Sequence, residues 1–178
     1  MVVVGNKIYT SNAADKTISV LDAESYKITG TIKVPETPLG LGVDAGNNRV
    51  YVAIHGSSEI VVIDTTEDKI TGSIKLGASP WYMAVDRSNN RIYVTQREGN
   101  MVSVVDTKEN KVIATIEGIN QPIGIALNSS GSRAYVASHG DIAVVIIDTR
   151  SNKVADTIKL TLTPDSPYSG SPWGIAVK

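Results

Sequence analysis

The sequence contains no cysteine and no phenylalanine, and it has only two histidines and two tryptophans in 178 residues. Without cysteine there are no disulfides, no thiolate nucleophile and no cysteine-based zinc site. The net charge of −1 gives no overall field that would attract nucleic acid or an anionic membrane surface. No apolar run approaches the roughly 18 residues of a membrane-spanning helix. We therefore expect no nucleic-acid partner and no insertion into a membrane.

A period of 42 residues runs through the chain. Three residue types mark it most clearly: Tyr9, Tyr51, Tyr93 and Tyr135; Asp22, Asp64, Asp106 and Asp148; and Lys27, Lys69, Lys111 and Lys153. Each period holds four short segments rich in β-branched residues, with turn residues between them, which is typical of antiparallel strands. A fixed period of this size indicates stacked or radially arranged repeats.

The recurring residues have expected places in these strands, which we call a to d. The tyrosines lie in strand b and are expected to be buried between repeats. The aspartates end strand c, where a carboxylate can accept backbone N–H bonds of the next turn. Prolines open strand a, where a missing N–H costs little; they are Pro38, Pro80, Pro122 and Pro172. Lysines and arginines near the a–b and c–d turns alternate with aspartates, which favours weak ion pairs within hairpins.

Two stretches resemble the YVTN-type β-propeller repeat of surface-layer-like proteins: RVYVAI…EIVVIDTTEDKITGSI and RIYVTQ…NMVSVVDTKENKVIATI. The resemblance covers nearly the whole chain and recurs four times. It implies an all-β propeller with four antiparallel strands in each blade. Propellers host many unrelated activities, so the resemblance implies little about function.

We predict a single domain over residues 1–178, a four-bladed propeller. The repeat pattern begins with strand b and ends with strand a, so Trp173–Val177 should pair beside Ile8–Thr10 and close the ring. The predicted blades are 6–33 plus 172–178, 38–75, 80–117 and 122–160, with an insertion loop at 161–171. Two alternatives stay open: two chains that form one eight-bladed ring, and a fragment of a larger propeller.

Departures from the repeat indicate where a ligand would bind. His55 and His139 are two periods apart in the b–c connections, and Arg97 holds the same position in the repeat between them. Trp81 and Trp173 begin strand a in alternate repeats. Because b–c and d–a connections share one face of a propeller, the sequence predicts a ligand-binding face there. Its members are His55, Trp81, Tyr82, Arg97, His139, Tyr168 and Trp173.

This pattern favours a non-enzymatic binding or protein-interaction module for a protein, a small molecule or a carbohydrate. The alternatives are a metal-assisted propeller lyase or hydrolase and a structural cell-surface repeat protein. We assign no catalytic residue and no cofactor, because the spacing places no Ser/His/Asp triad and forces no pair of acidic side chains together. We assign no metal, because zinc needs three or four convergent ligands. A monomer or a homodimer is expected. Met1–Gly5 has no signal-peptide pattern, and the family resemblance leaves a secreted or cell-surface location open.

Overall fold

The computed structural model describes residues 1–161 and 172–177, which form strands and one 3-10 turn at Ala45–Asn47. The strands are β1 (Val2–Val4), β2 (Lys7–Asn12), β3 (Thr17–Asp22), β4 (Ile28–Lys33), β5 (Thr37–Asp44), β6 (Arg49–His55), β7 (Glu59–Asp64), β8 (Lys69–Lys75), β9 (Met83–Asp86), β10 (Arg91–Gln96), β11 (Met101–Asp106), β12 (Lys111–Glu117), β13 (Pro122–Leu127), β14 (Arg133–Ser138), β15 (Ala143–Asp148) and β16 (Lys153–Lys159). No helix in the described ranges is long and apolar enough to cross a membrane.

The described residues form four sheets, and each consists of four antiparallel strands that are consecutive in the chain. They are the first sheet (β1–β4), the second (β5–β8), the third (β9–β12) and the fourth (β13–β16). The prediction of an all-β architecture with four antiparallel strands per repeat is confirmed. The strands a, b, c and d of the sequence pattern follow one another in this order across each sheet.

The repeated aspartates organise the turn between the third and fourth strands of every sheet. Asp64 Oδ1 accepts the N–H groups of Thr66 at 2.7 Å and Glu67 at 3.1 Å. Hydrogen bonds from the Thr66 hydroxyl and from these amides hold the pKa of Asp64 below its usual value. Asp22, Asp106 and Asp148 accept equivalent backbone bonds. The structural interpretation of these carboxylates is therefore confirmed.

The core lies between successive sheets. We call the side of a sheet that carries the repeated tyrosine its forward side and the other its back side. Tyr9, on the forward side of the first sheet, packs with Val50 and Val52 on the back side of the second. Tyr51 and Tyr93 lie in the next two interfaces, and all three tyrosines are fully buried, as predicted. Burial, and then a hydrogen bond to Asp68, raise the pKa of Tyr9.

Basic residues at the start of strand b connect one sheet to the next. Lys7 Nζ contacts Asp68 of the second sheet at 2.7 Å and also donates to the Thr65 carbonyl. Arg49 donates to the Thr107 carbonyl at 3.0 Å, and Arg91 to the Thr149 carbonyl at 2.9 Å. The interpretation as ion pairs within hairpins is wrong for these three residues, because each side chain reaches a turn of the following sheet.

The inner strand of the first sheet is Val2–Val4, which pairs with Lys7–Tyr9. The predicted pairing of Trp173–Val177 beside Ile8–Thr10 is therefore wrong, and so is its assignment to the first blade. Val2–Val4 and Lys7–Tyr9 form a local hairpin. Its two-residue turn begins at Gly5, which has a φ of 55°. This hairpin closes a far shorter loop than a strand from the other end of the chain.

The forward side of the fourth sheet is not covered by the first sheet. Ile158 is 50% exposed there, whereas its counterparts Ile32, Ile74 and Ile116 are at most 9% exposed. Tyr135 is only half-buried for the same reason, so its predicted burial is not reached. Closure of four blades by one chain is thus not confirmed. The predicted insertion loop lies outside the described residues except for Thr161.

Candidate functional site

His55 and Trp81 form the first of two aromatic pairs on the face that carries the b–c and d–a connections. Their ring centroids are 5.2 Å apart with the planes at 72°, an edge-to-face contact. The Ser79 hydroxyl lies 3.2 Å from His55 Nδ1 and accepts the Gly56 N–H at 3.0 Å. The imidazole is therefore held by the loop that leads to Trp81 as well as by its own turn.

Charged groups of the third sheet surround the half-buried Trp81. Its indole N–H donates to both carboxylate oxygens of Glu98, at 2.9 and 3.1 Å. The Arg97 guanidinium lies 5.2 Å from the Trp81 ring centroid, within cation–π range. Arg97 also donates to Gln121 Oε1 at 3.0 Å. One edge and one face of Trp81 are thus already used by neighbouring side chains.

His139 and Trp173 form the second pair, with centroids 5.3 Å apart and planes at 82°. In both pairs a histidine at or just after the end of strand b contacts a tryptophan in the segment after the same sheet. Trp81 follows His55 by 26 positions and Trp173 follows His139 by 34, so the second pair forms despite the eight-residue insertion. Trp173 is 60% exposed, which makes it the more accessible tryptophan.

An apolar cavity of about 320 Å³ lies beside the second pair. Tyr82 and Met83 of the third repeat form one wall, and Gly124 and Ile125 of β13 form another. The segment Trp173–Ile175 completes the lining. Tyr82 is 41% exposed, so two exposed aromatic residues, Tyr82 and Trp173, line the cavity.

A second cavity, of about 390 Å³, lies toward the a–b turns and touches the inner strand of every sheet. Val2, Val43, Val85 and Leu127 are among its lining residues, with Asp86 and Arg87 at its polar end. Although it is larger, it has no aromatic side chain in its lining. We therefore regard the smaller, aromatic cavity as the candidate site.

The structure brings most of the predicted site residues together in two groups. His55, Trp81 and Arg97 form one, and Tyr82, His139 and Trp173 lie around the other. Tyr168 lies outside the described residues. The prediction missed Glu98 as a partner of Trp81, although it stands where the second and fourth repeats have Gly56 and Gly140.

Metal ligands do not converge anywhere in residues 1–161 and 172–177: no three histidine, aspartate or glutamate side chains there are placed to hold an ion.

Comparisons with known proteins support the fold alone. No protein-family model and no curated protein sequence matches this chain. The solved structure of Kuenenia stuttgartiensis hydrazine synthase matches with a TM-score of 0.81 at 22% identity. The match covers 88% of this chain and 46% of that chain, so this chain spans less than half of its length. The likeness is consistent with a β-propeller-like fold, and at this identity it carries no inference about activity.

Proposed function

We propose that this chain is a binding module of the YVTN-like propeller type, and that its ligand occupies the aromatic cavity at Tyr82 and Trp173. The observation that carries this is that two exposed aromatic residues line the same apolar cavity. A concave apolar site with a few polar groups at its edge is the usual form of a ligand site, and exposed apolar area marks interaction surfaces.

The chemistry of the walls favours a ligand with flat apolar faces and hydroxyl groups, such as a neutral oligosaccharide. Tyr82 and Trp173 offer rings for stacking against a sugar face. His139, beside Trp173, supplies nitrogen atoms that can donate or accept hydrogen bonds. Arg97 and Glu98 lie 3.9 Å apart and offset each other's charge near Trp81, which argues against an ionic ligand.

Tryptophan fluorescence provides a direct test, because both tryptophans of the sequence belong to the two aromatic pairs. We propose titration with cellohexaose and with the hexamer of N-acetylglucosamine. Binding should shift the emission of the Trp81→Phe variant, in which Trp173 is the remaining tryptophan. It should shift the emission of the Trp173→Phe variant less. An affinity measured by calorimetry should fall about two- to tenfold in Trp173→Ala, as expected for the loss of one stacking contact.

Tyr26→Ala is a matched control, since Tyr26 is 73% exposed and lies in the c–d turn on the opposite face. Its affinity should equal that of the unmodified chain. The proposal fails if neither oligosaccharide binds, or if binding survives the double replacement of Trp81 and Trp173 by alanine. It also fails if the bound sugar contacts Lys27, Arg49 or Lys69. A stoichiometric divalent ion in the purified protein would favour the metal-assisted lyase or hydrolase instead.

A further inference from the structure

The forward side of the fourth sheet repeats the side chains that are buried in the three interfaces of the chain. Leu160 is 38% exposed, while Val34 and Leu76 at the same position are at most 9% exposed. Tyr135 and Val144 are half-buried, while all their counterparts are fully buried. The forward side of the fourth sheet therefore has the composition of an interface core, but no sheet among the described residues covers it.

Arg133 extends this pattern to the polar contacts. Its counterparts Lys7, Arg49 and Arg91 each donate to a carbonyl in the c–d turn of the next sheet. Arg133 is exposed. By the repeat, the carbonyl that would accept from it belongs to Ala23, in the c–d turn of a first sheet.

The back side of the first sheet is the complementary surface. Ile8 and Leu21 are half-buried there, whereas Val50 and Ile63, at the same positions of the second sheet, are fully buried against the first. The chain thus presents an uncovered forward side at one end of the row of sheets and an uncovered back side at the other.

The segment Trp173–Ile175 supplies a third observation. A Cβ on Gly124 would lie 2.7 Å from the Trp173 carbonyl oxygen, just as a Cβ on Gly40 would lie 2.7 Å from that of Trp81. The segment therefore sits where the next inner strand begins. The Trp81 N–H donates to the Thr95 carbonyl of its own sheet at 2.9 Å, but the Trp173 N–H has no equivalent bond to a strand among the described residues.

We propose that a second copy of this chain docks its first sheet on the forward side of the fourth sheet, and that Trp173 pairs with Ser11 of that copy. Ser11 is the counterpart of Thr95. In the first sheet, β1 pairs only with Lys7–Tyr9, so the inner edge beside Thr10–Asn12 is open to the incoming segment. This inference does not depend on the proposed ligand.

Two copies are the number that the repeat favours. The contact joins unlike surfaces, so it either closes into a ring or grows into a filament. Two copies give eight sheets, which is within the range of four to eight blades seen in most propellers, and three copies would exceed it. Each copy then uses both of its uncovered sides.

The mass in solution tests this directly. By light scattering over a concentration series, the chain should have about twice its 18.9 kDa mass. Ile158→Glu should give the mass of a single chain, with a dissociation constant raised at least about a hundredfold, because it buries an unpaired charge in each contact. Far-UV circular dichroism should be unchanged, since Ile158 is 50% exposed in one chain.

Val154→Glu is the matched control in the same strand. Val154 is 43% exposed, and its counterparts Ile28, Ile70 and Val112 are exposed as well, so this position is outside every sheet-to-sheet interface. The variant should keep the doubled mass. A single-chain mass at every concentration, or equal effects of the two glutamates, would overturn the proposal.

Mixing two variants tests the orientation. Leu21→Glu alters the back side of the first sheet and should also give single chains. If the Leu21→Glu variant does not fold, Thr10→Glu takes its place in the experiment. A mixture of Ile158→Glu and Leu21→Glu chains should regain dimers, because one contact in such a dimer is unaltered. Failure to regain them contradicts a head-to-tail contact. Growth beyond two chains contradicts closure.

Discussion

The third and fourth sheets carry the same residue types toward the next sheet, but within the part of the chain that the structure describes only the third is covered. Ile116 is 5% exposed and Ile158 is 50% exposed. Arg91 donates to the Thr149 carbonyl, whereas its counterpart Arg133 is exposed. The difference shows that the repeat encodes each sheet locally, while the stability that a forward-side residue contributes depends on the sheet that follows. This is the nearest-neighbour behaviour of repeat proteins.

The largest contrast is expected for the repeated tyrosine. Tyr93→Ala should lower the free energy of unfolding by roughly 3–5 kcal/mol, because it removes a fully buried ring. Tyr135→Ala should lower it by about 1 kcal/mol, typical of a single substitution outside a packed core. Urea unfolding of both in the Ile158→Glu background, where the proposed contact between copies is absent, measures the difference. Equal losses would show that the fourth sheet is covered within one chain.

A smaller contrast is expected for the basic residue at the start of strand b. Arg91→Ala removes charged donors from the Thr149 carbonyl and should cost about 1.5–3 kcal/mol. Arg133→Ala should stay within about 0.5 kcal/mol, as for most surface substitutions. The same unfolding measurement in the same background compares them. An equal cost for Arg133 would place an acceptor for it within the chain.

The two tryptophans extend the comparison to the candidate site. Trp81 is half-buried under Arg97 and bonded to Glu98, while Trp173 is 60% exposed. Each tryptophan can be observed alone, Trp173 in the Trp81→Phe variant and Trp81 in the Trp173→Phe variant. The slope of acrylamide quenching should therefore be steeper for Trp173 than for Trp81. Glu98→Gln should alter only the emission of Trp81. Equal slopes in the single-chain background would contradict the described exposure of Trp173.

For the aspartate turns we expect no difference between the third and fourth sheets. Backbone N–H bonds lower the pKa of both Asp106 and Asp148, led by those from Glu109 and Ser151. Because each folded pKa lies below the unfolded value, the stabilisation is present above the unfolded pKa near 3.9 and is lost as pH falls through the folded one. Carboxyl NMR titrations should show both pKa values depressed. A normal pKa at Asp148 alone would mean that its turn needs a covering sheet.

Much of the fold could be predicted from the sequence because its signals are local. The alternation of β-branched residues places the strands, and aspartate at the end of strand c specifies a turn that needs only its own next three residues. The inner strand Val2–Val4 was missed because it is short and has no proline at its start. The segments that begin at Pro38 and Pro80 carry that signal. Pairing between distant segments depends on loop closure and on covering sheets, which a repeat pattern does not encode.

The candidate site could be predicted only in part. Irregular residues within a regular repeat, such as His55 and Trp81, indicated the face on which the structure places the aromatic pairs and the aromatic cavity. Their contact was not predicted, because it depends on how far one sheet is turned relative to the next. Arg97 was included as a departure from the repeat, whereas the role of Glu98 depends on the direction of the Trp81 indole N–H, which only the folded geometry provides.

Every sheet is made of four strands that follow one another directly in the chain, and this has a consequence for synthesis. Such a sheet can form from about 40 consecutive residues as soon as they leave the ribosome, without waiting for a distant segment, since domains commonly fold from the N-terminus while the chain is made. Each new sheet then meets a forward side that is already complete. Among the described sheets, the first and the fourth therefore each keep one side that no neighbouring sheet has covered.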